Sequence, residues 1–223
     1  MNLLAIDSAC SILSAAVSRG EEIFYEETES GMKQSEFVMD IIDSLMKKAG
    51  LKPDDLDGML CMGGPGSFTG LRIGYSIAKG LALSLSKPFA PVPTLECVSF
   101  ETQNDELLLA VIEARKNACF YAFFKNGKRV TEDRDGDYAR IADEIEKHSG
   151  KIILKGYGAL SLYNSLPQNL KEKIIFNFEK KGCAKELIYY SMKNNLFDND
   201  NSAFLFSGPE YIRKTDAELK NPV

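Results

Sequence analysis

Apolar residues recur along the chain with two different periods. Short apolar runs at 3–6 and 12–17, and a segment at 21–28 in which Ile23 and Tyr25 stand between charged neighbours, predict three strands. The links Ser8-Ala9 and Arg19-Gly20 are short and polar, so the strands are expected to form an antiparallel meander. From residue 35 the period becomes helical. Phe37, Val38, Ile41, Ile42, Leu45, Met46 and Ala49 fall on one stripe opposite Glu36, Asp40, Asp43, Lys47 and Lys48, and Gly50 stops the helix. A buried strand at 59–62, a glycine-rich turn, a helix to Ser86, a strand at 89–92 and a helix from Thr94 to about Gln103 follow. The order is βββαβαβα.

A second set starts near Asp105. Strands at 107–112, 118–124 and 128–132, with Asn126-Gly127 as a hairpin turn, precede helical patterns at 138–147, 159–165 and 185–193 and short strands at 151–154 and 174–176. The first half is thereby repeated in shortened form, with no tandem repeat in the sequence itself. The expected fold is α/β, with residues 1–104 as one lobe and 105–223 as a smaller one. Three meandering strands continued by parallel crossovers is the order of a ribonuclease-H-like lobe. Two such lobes, here with the second truncated, make the actin-like ATPase (ASKHA) fold by analogy of order. The tail at 208–213 is expected to lie across a lobe.

The turn Gly63-Gly64-Pro65-Gly66-Ser67-Phe68-Thr69-Gly70 runs from a strand into a helix. Its glycines permit positive φ, and Ser67 or Thr69 is placed to cap the helix, whose free N–H groups suit an anion. It is neither a Walker loop, since Leu71-Arg72 follows Gly70 where Lys-Ser/Thr is needed, nor a dinucleotide fingerprint, since Thr69 replaces the third glycine. Asp7, at the end of the first strand, joins Gly64, Gly66, Ser67 and Thr69 as a vestigial phosphate-binding set. The turn after Asp7, Ser8-Ala9-Cys10-Ser11, has no glycine to wrap a phosphate, and an aspartate that caps its own turn is the plainer reading. Gly156-Tyr157-Gly158-Ala159 is a candidate remnant of an adenosine loop.

Charge and composition narrow the chemistry. The net charge of −5 means that the average surface repels phosphate backbones. The single histidine, His148, lies in a polar helix end, which removes most histidine-based nucleophile schemes, and five scattered cysteines with one histidine offer no metal site. No apolar stretch approaches a membrane span and the N-terminus lacks a basic leader, so a cytoplasmic location is expected.

The helix after the glycine turn is the least ordinary element. Its apolar arc, from Ile73 through Ile77, Leu81, Leu85, Leu71 and Ala82 to Tyr75, covers roughly 200°, wider than a surface helix needs. Gly70, Gly74, Ala78 and Ala82 form an i, i+4 row of small residues that admits a close neighbour. Either a partner covers the excess or the chain's own sheet and first helix do. In the first case Phe37, Ile41, Leu45, Gly70, Ile73, Gly74, Ile77, Ala78 and Leu81 line a partner seam, and Ala78→Glu breaks association. In the second, that variant unfolds.

The run GGPGSFTGLRIG, with Ala5-Ile6-Asp7-Ser8 before it and Ala78-Lys79-Gly80-Leu81-Ala82 after it, resembles the TsaB (YeaZ) family over about residues 1–115. Beyond that, Gly156-Tyr157-Gly158-Ala159 and Pro209-Glu210-Tyr211-Ile212-Arg213 also match. The resemblance implies an actin-like two-lobe protein without catalysis of its own. Its partners would be a TsaD-like catalytic subunit, met through the first two helices, a TsaE-like ATPase, and a second copy when alone; tRNA would be reached through the complex. The complex transfers a threonylcarbamoyl group to the adenosine beside the anticodon. No cofactor is implied as tightly bound, and ATP or ADP only weakly or at a complex interface. Met32-Lys33-Gln34-Ser35-Glu36 stands where the family often has Arg-x-His-Ser-Glu, which argues against a metal there and makes Ser35-Glu36 a helix start. The competing reading is a small actin-like ATPase or kinase acting through Asp7 and the Gly63–Gly70 loop.

Overall fold

The computed structural model describes residues 1–31, 33–100, 105–176, 181–198 and 201–213. In chain order the strands and helices are β1 Leu3–Asp7, β2 Ile12–Arg19, β3 Glu22–Glu29, α1 Gln34–Ala49, β4 Gly58–Gly64, α2 Phe68–Leu85, β5 Phe89–Pro93, α3 Thr94–Ser99, β6 Leu107–Arg115, β7 Ala118–Lys125, β8 Lys128–Arg129, β9 Arg134–Asp137, α4 Tyr138–Glu146, β10 Ile152–Lys155, α5 Ala159–Ser165, α6 Gln168–Lys171, β11 Ile174–Phe176 and α7 Ala184–Lys193. They fall into two compact units, one of Met1–Cys97 with Lys181–Glu210, the other of Val98–Lys180 with the C-terminal residues from Tyr211.

The first unit is built on a sheet of order β3-β2-β1-β4-β5, in which β1, β2 and β3 are antiparallel and β4 and β5 continue parallel to β1. This is the meander with crossovers that the alternation predicts. Both faces are covered, which is why β1 and β4 read as unbroken apolar runs. Leu4 and Ile6 of β1 face α1 and α2 in one core with Val38, Leu45, Met59, Tyr75, Ala78 and Phe89. The other face receives α7, which packs on β1, β2 and β4.

That helix is the main departure from the expected boundary. The sequence pattern places residues 185–193 in a lobe of 105–223, yet α7 and the residues around it belong to the first unit. Leu187 and Ile188 are fully buried, and the N–H groups that open the helix bond to β1, β2 and β3. Its sequence pattern gave an apolar face but not the sheet that the face meets. The chain up to Glu210 also lies on this unit: Glu210 N donates to Gly63 O at 2.8 Å, and Lys79 Nζ binds the carbonyls of Leu205 (3.0 Å) and Ser207.

The second unit repeats the first in sheet order. Its strands run β11-β10-β6-β7-β8, with β6, β7 and β8 antiparallel and β10 and β11 parallel to β6. Shortening is visible in β8, which has two residues, and in α5 and α6, seven and four residues where α2 has eighteen. The strand expected at 128–132 stops early because Val130 N and Thr131 N both turn onto Phe123 O. β9, which the sequence pattern did not signal, pairs with the part of β7 that β8 leaves open. Its charges hide the strand from a hydrophobic count, and Arg115 fixes it by two bonds to Asp135 at 2.6 and 2.8 Å. The helix expected at 94–103 ends at Ser99, and 101–104 lie outside the described residues.

Burial raises the Cys61 and Cys97 thiols above their ordinary value of 9.0 and pushes Cys119 up to about 12. Burial, then a hydrogen bond to Glu27, raises Tyr25 above 10.0. Each group therefore keeps its proton to higher pH when folded than when unfolded. Its contribution is intact below pH 9.0 and drains away as pH rises towards the folded values. The melting temperature should fall steadily above about pH 9; a melt as high at strongly alkaline pH as at neutral pH would contradict this.

Candidate functional site

The glycine turn is filled by the chain itself. Ser67 caps α2 by accepting from Gly70 N at 3.2 Å, while its own N–H donates to Ala9 O at 2.8 Å. The β1–β2 turn thus lies directly on the first turn of α2. A Cβ on Gly66 would stand 2.8 Å from Ala9 O, and one on Gly70 only 1.8 Å from Ser8 O. Ser8 Oγ closes the contact by donating to Gly70 O at 2.8 Å. Gly64, at φ +114°, would place a Cβ 2.3 Å from Glu210 O, so the tail backbone covers the other side of the loop. These glycines are required by neighbouring protein backbone. Gln34, buried, donates through Nε2 to Cys10 O and ties the start of α1 to the same turn. The helix therefore begins at Gln34 rather than at Ser35, as the sequence suggested.

Asp7 is fully buried and points away from α1 and α2. One carboxylate oxygen accepts from Ala9 N at 3.1 Å, as expected for a strand-end aspartate, and the other accepts from Cys183 N at 2.8 Å. Gly182 N donates to Glu27 and Ala184 N to Ser14 Oγ, at 2.7 and 3.2 Å. Three successive N–H groups at the start of α7 are thereby satisfied by β1, β2 and β3, and the Asp7 charge sits at a helix N-terminus, where it is favoured. Glu186, at the third position of the helix, would ordinarily reach back to the cap N–H that Asp7 occupies. Instead its Oε1 lies 3.5 Å from Lys181 Nζ, and its Oε2 has no hydrogen-bond partner among the described residues. Of the phosphate set, Asp7, Gly64 and Gly66 are buried against protein, while Ser67 and Thr69 are exposed at the start of α2. Asp7 meets Cys183, Gly64 meets Glu210 and Gly66 meets Ala9.

The expected partner seam divides in two. Leu45, Gly70, Gly74 and Ala78 are buried within the chain, and a Cβ on Gly74 would meet Ser8 Oγ at 2.7 Å. The row of small residues faces the sheet, which lets α2 approach β1 and β4 closely. Ile41, Ile73, Ile77 and Leu81 stay only partly buried beside that core, and Phe37 is 40% exposed, with Met39 close by at 49%. Sequence reasoning missed Gly80. It lies in the middle of α2, is exposed, and a Cβ on it would meet nothing within 4 Å. A mid-helix glycine costs about 1 kcal/mol against alanine, and nothing among the described residues requires it. The signal was present in Ala78-Lys79-Gly80-Leu81-Ala82.

Among the described residues no group of three or more His, Cys, Asp or Glu could hold a metal ion, and no helix is long and apolar enough to cross a membrane. His148 lies beyond α4, exposed, with its ring 5.3 Å from that of Phe123.

The family model described as TsaD, tRNA N6-adenosine threonylcarbamoyltransferase, matches residues 28–218. A tRNA threonylcarbamoyladenosine biosynthesis protein TsaB from Bacillus subtilis is 26% identical over 99% of this chain and 97% of its own length. A tRNA N6-adenosine threonylcarbamoyltransferase from Kosmotoga olearia is also 26% identical, over 87% of this chain and 68% of its own length. Among solved structures, YeaZ from Pseudomonas aeruginosa superposes with a TM-score of 0.76 at 18% identity, covering 95% of this chain and 99% of that one. The likeness confirms the actin-like α/β fold expected from the order of elements. The chain therefore belongs to the tRNA N6-adenosine threonylcarbamoyltransferase (TsaD) family, in its TsaB (YeaZ) line.

Proposed function

We propose that this chain acts in tRNA N6-threonylcarbamoyladenosine formation as a non-catalytic subunit that docks onto a TsaD-like catalytic chain. The observation that carries the reading is the filled glycine turn: the backbone of residues 8–9 and 210 occupies the space beside Gly64, Gly66 and Gly70, and Asp7 is committed to α7. The competing kinase or ATPase reading needs that loop and that carboxylate for a phosphate. Docking is assigned to the outer surface of α1 and α2, with Phe37 and Ile41 of α1 and Ile73, Ile77, the open Gly80 and Leu81 of α2. A TsaD-like chain of related sequence would present a comparable helix pair, so the contact has a near-symmetric form. A second copy would use the same face when no partner is present, and a TsaE-like ATPase would join the assembled pair. ATP or ADP would bind weakly or at a shared interface, in the cytoplasm.

The test is sedimentation of the chain with and without the TsaD-like protein of the same host. A stable complex is expected, and the chain alone should show no steady Mg-ATP turnover. Absence of a complex, or sustained turnover by the isolated chain, would overturn the reading.

A further inference from the structure

Basic side chains in the second unit divide into two groups. Four of its arginines are paired with carboxylates: Arg115 with Asp135, Arg129 with Asp133, and Arg134 and Arg140 with the one Glu144. The lysines at the end where α4 leads into β10 and α6 into β11 are held differently. Lys173 Nζ binds the carbonyls of Glu146 and His148 at 2.9 and 2.7 Å, and Lys151 Nζ binds Glu172 O at 2.6 Å. Lys171 Nζ binds Asn164 O at 3.2 Å and lies 5.5 Å above the Tyr163 ring, which stacks on Phe176 at 4.7 Å. Lys147, next to the carbonyls that Lys173 holds, is exposed.

None of the four lysines forms an ion pair with a carboxylate among the described residues. Backbone carbonyls fix three of the ammonium groups in place without cancelling their charge. The acidic side chains beside them are Glu146 and Glu172, adjacent in sequence, and Asp143, one turn before Lys147 on α4; all three are exposed, so the lysines stay in excess by four to three. On a chain with net charge −5, a positive surface held by backbone bonds is a local exception. The charges are spread over two strand ends and two helix ends rather than gathered in a cup. That spacing suits repeated phosphates more than one small anion.

We propose that the surface formed by Lys147, Lys151, Lys171 and Lys173 binds the phosphate backbone of RNA. The choice of RNA as the polyanion rests on the proposed function; the surface itself does not. Its contacts are to backbone, so it supplies affinity and position without reading sequence. Binding by the isolated chain is weak and depends steeply on salt.

Anisotropy of a dye-labelled tRNA titrated with the full chain tests this. With four phosphate contacts, affinity should fall roughly 100-fold between about 50 and 200 mM salt. The double variant Lys147→Glu/Lys151→Glu should bind at least about tenfold more weakly at low salt, with the salt slope reduced by about 2. Reversal of Lys125 and Lys128 on the β7–β8 hairpin should leave the slope near that of the parent. If the double reversal does not melt like the parent, Lys147→Gln/Lys151→Gln, which keeps the side-chain stems, reads the same slope. Unchanged affinity and slope in a folded variant would overturn the proposal. So would an equal loss from the hairpin reversal, no tRNA binding by the parent at low salt, or equally tight binding to phosphatidylserine vesicles. Sedimentation with the TsaD-like chain in the absence of RNA is read separately, so loss of this surface and failure of the docking reading give different results.

Discussion

Gly80→Arg should lose the TsaD-like partner while the chain itself melts no lower than the parent. Nothing lies within 4 Å of a Cβ at this position, so an arginine side chain extends into solvent and the helix gains about 1 kcal/mol by shedding a glycine. In the proposed complex the same side chain would enter the seam between helix pairs. There it holds the surfaces apart and buries a charge without a partner, which costs several kcal/mol. Association should weaken by about 100-fold or more, equivalent to about 2.8 kcal/mol at 1.4 kcal/mol per tenfold. Sedimentation with the partner measures the loss, and circular dichroism melting reports on the fold. Full-strength association by a folded Gly80→Arg chain would place the partner elsewhere. Gly80→Ala should raise the melt slightly and affect docking less.

Ala78→Glu should have the opposite signature, with the fold lost before association can be measured. Ala78 is fully buried on the sheet-facing side of α2, in the core that holds Tyr75, Met59 and Cys61. A glutamate there adds volume to a filled space and puts a carboxyl group among apolar neighbours, a combination that costs about 3–5 kcal/mol. For a domain of this size that is a fall of roughly 6–20 °C in melting temperature, or no folded protein at all. A variant that melts like the parent yet fails to bind the partner would return the small row to the interface. About half a turn of helix thus separates a position that should abolish the fold from one that should abolish only the complex.

The sequence by itself determined the elements of the first sheet and their order. Local alternation, short polar links and glycine stops carry that information within a few residues of each strand and helix. It also determined that the row of Gly70, Gly74, Ala78 and Ala82 admits a close neighbour, because small residues permit it, while the glycines before it were legible only as a turn. Tertiary structure decided what approaches them. Ser8 and Ala9 lie about sixty positions from the turn and Glu210 still further, and no local pattern couples them. For the same reason α7 was legible as a helix but not as part of the first unit: its place depends on Asp7, Ser14 and Glu27 meeting three backbone N–H groups from the far end of the chain. The wide apolar arc of α2 was visible at once, yet a helical wheel has no outside until a sheet supplies one. Gly74 and Ala78 proved to be inside and Gly80 outside because β1 and β4 pack on the side where Ser8 and Cys61 lie.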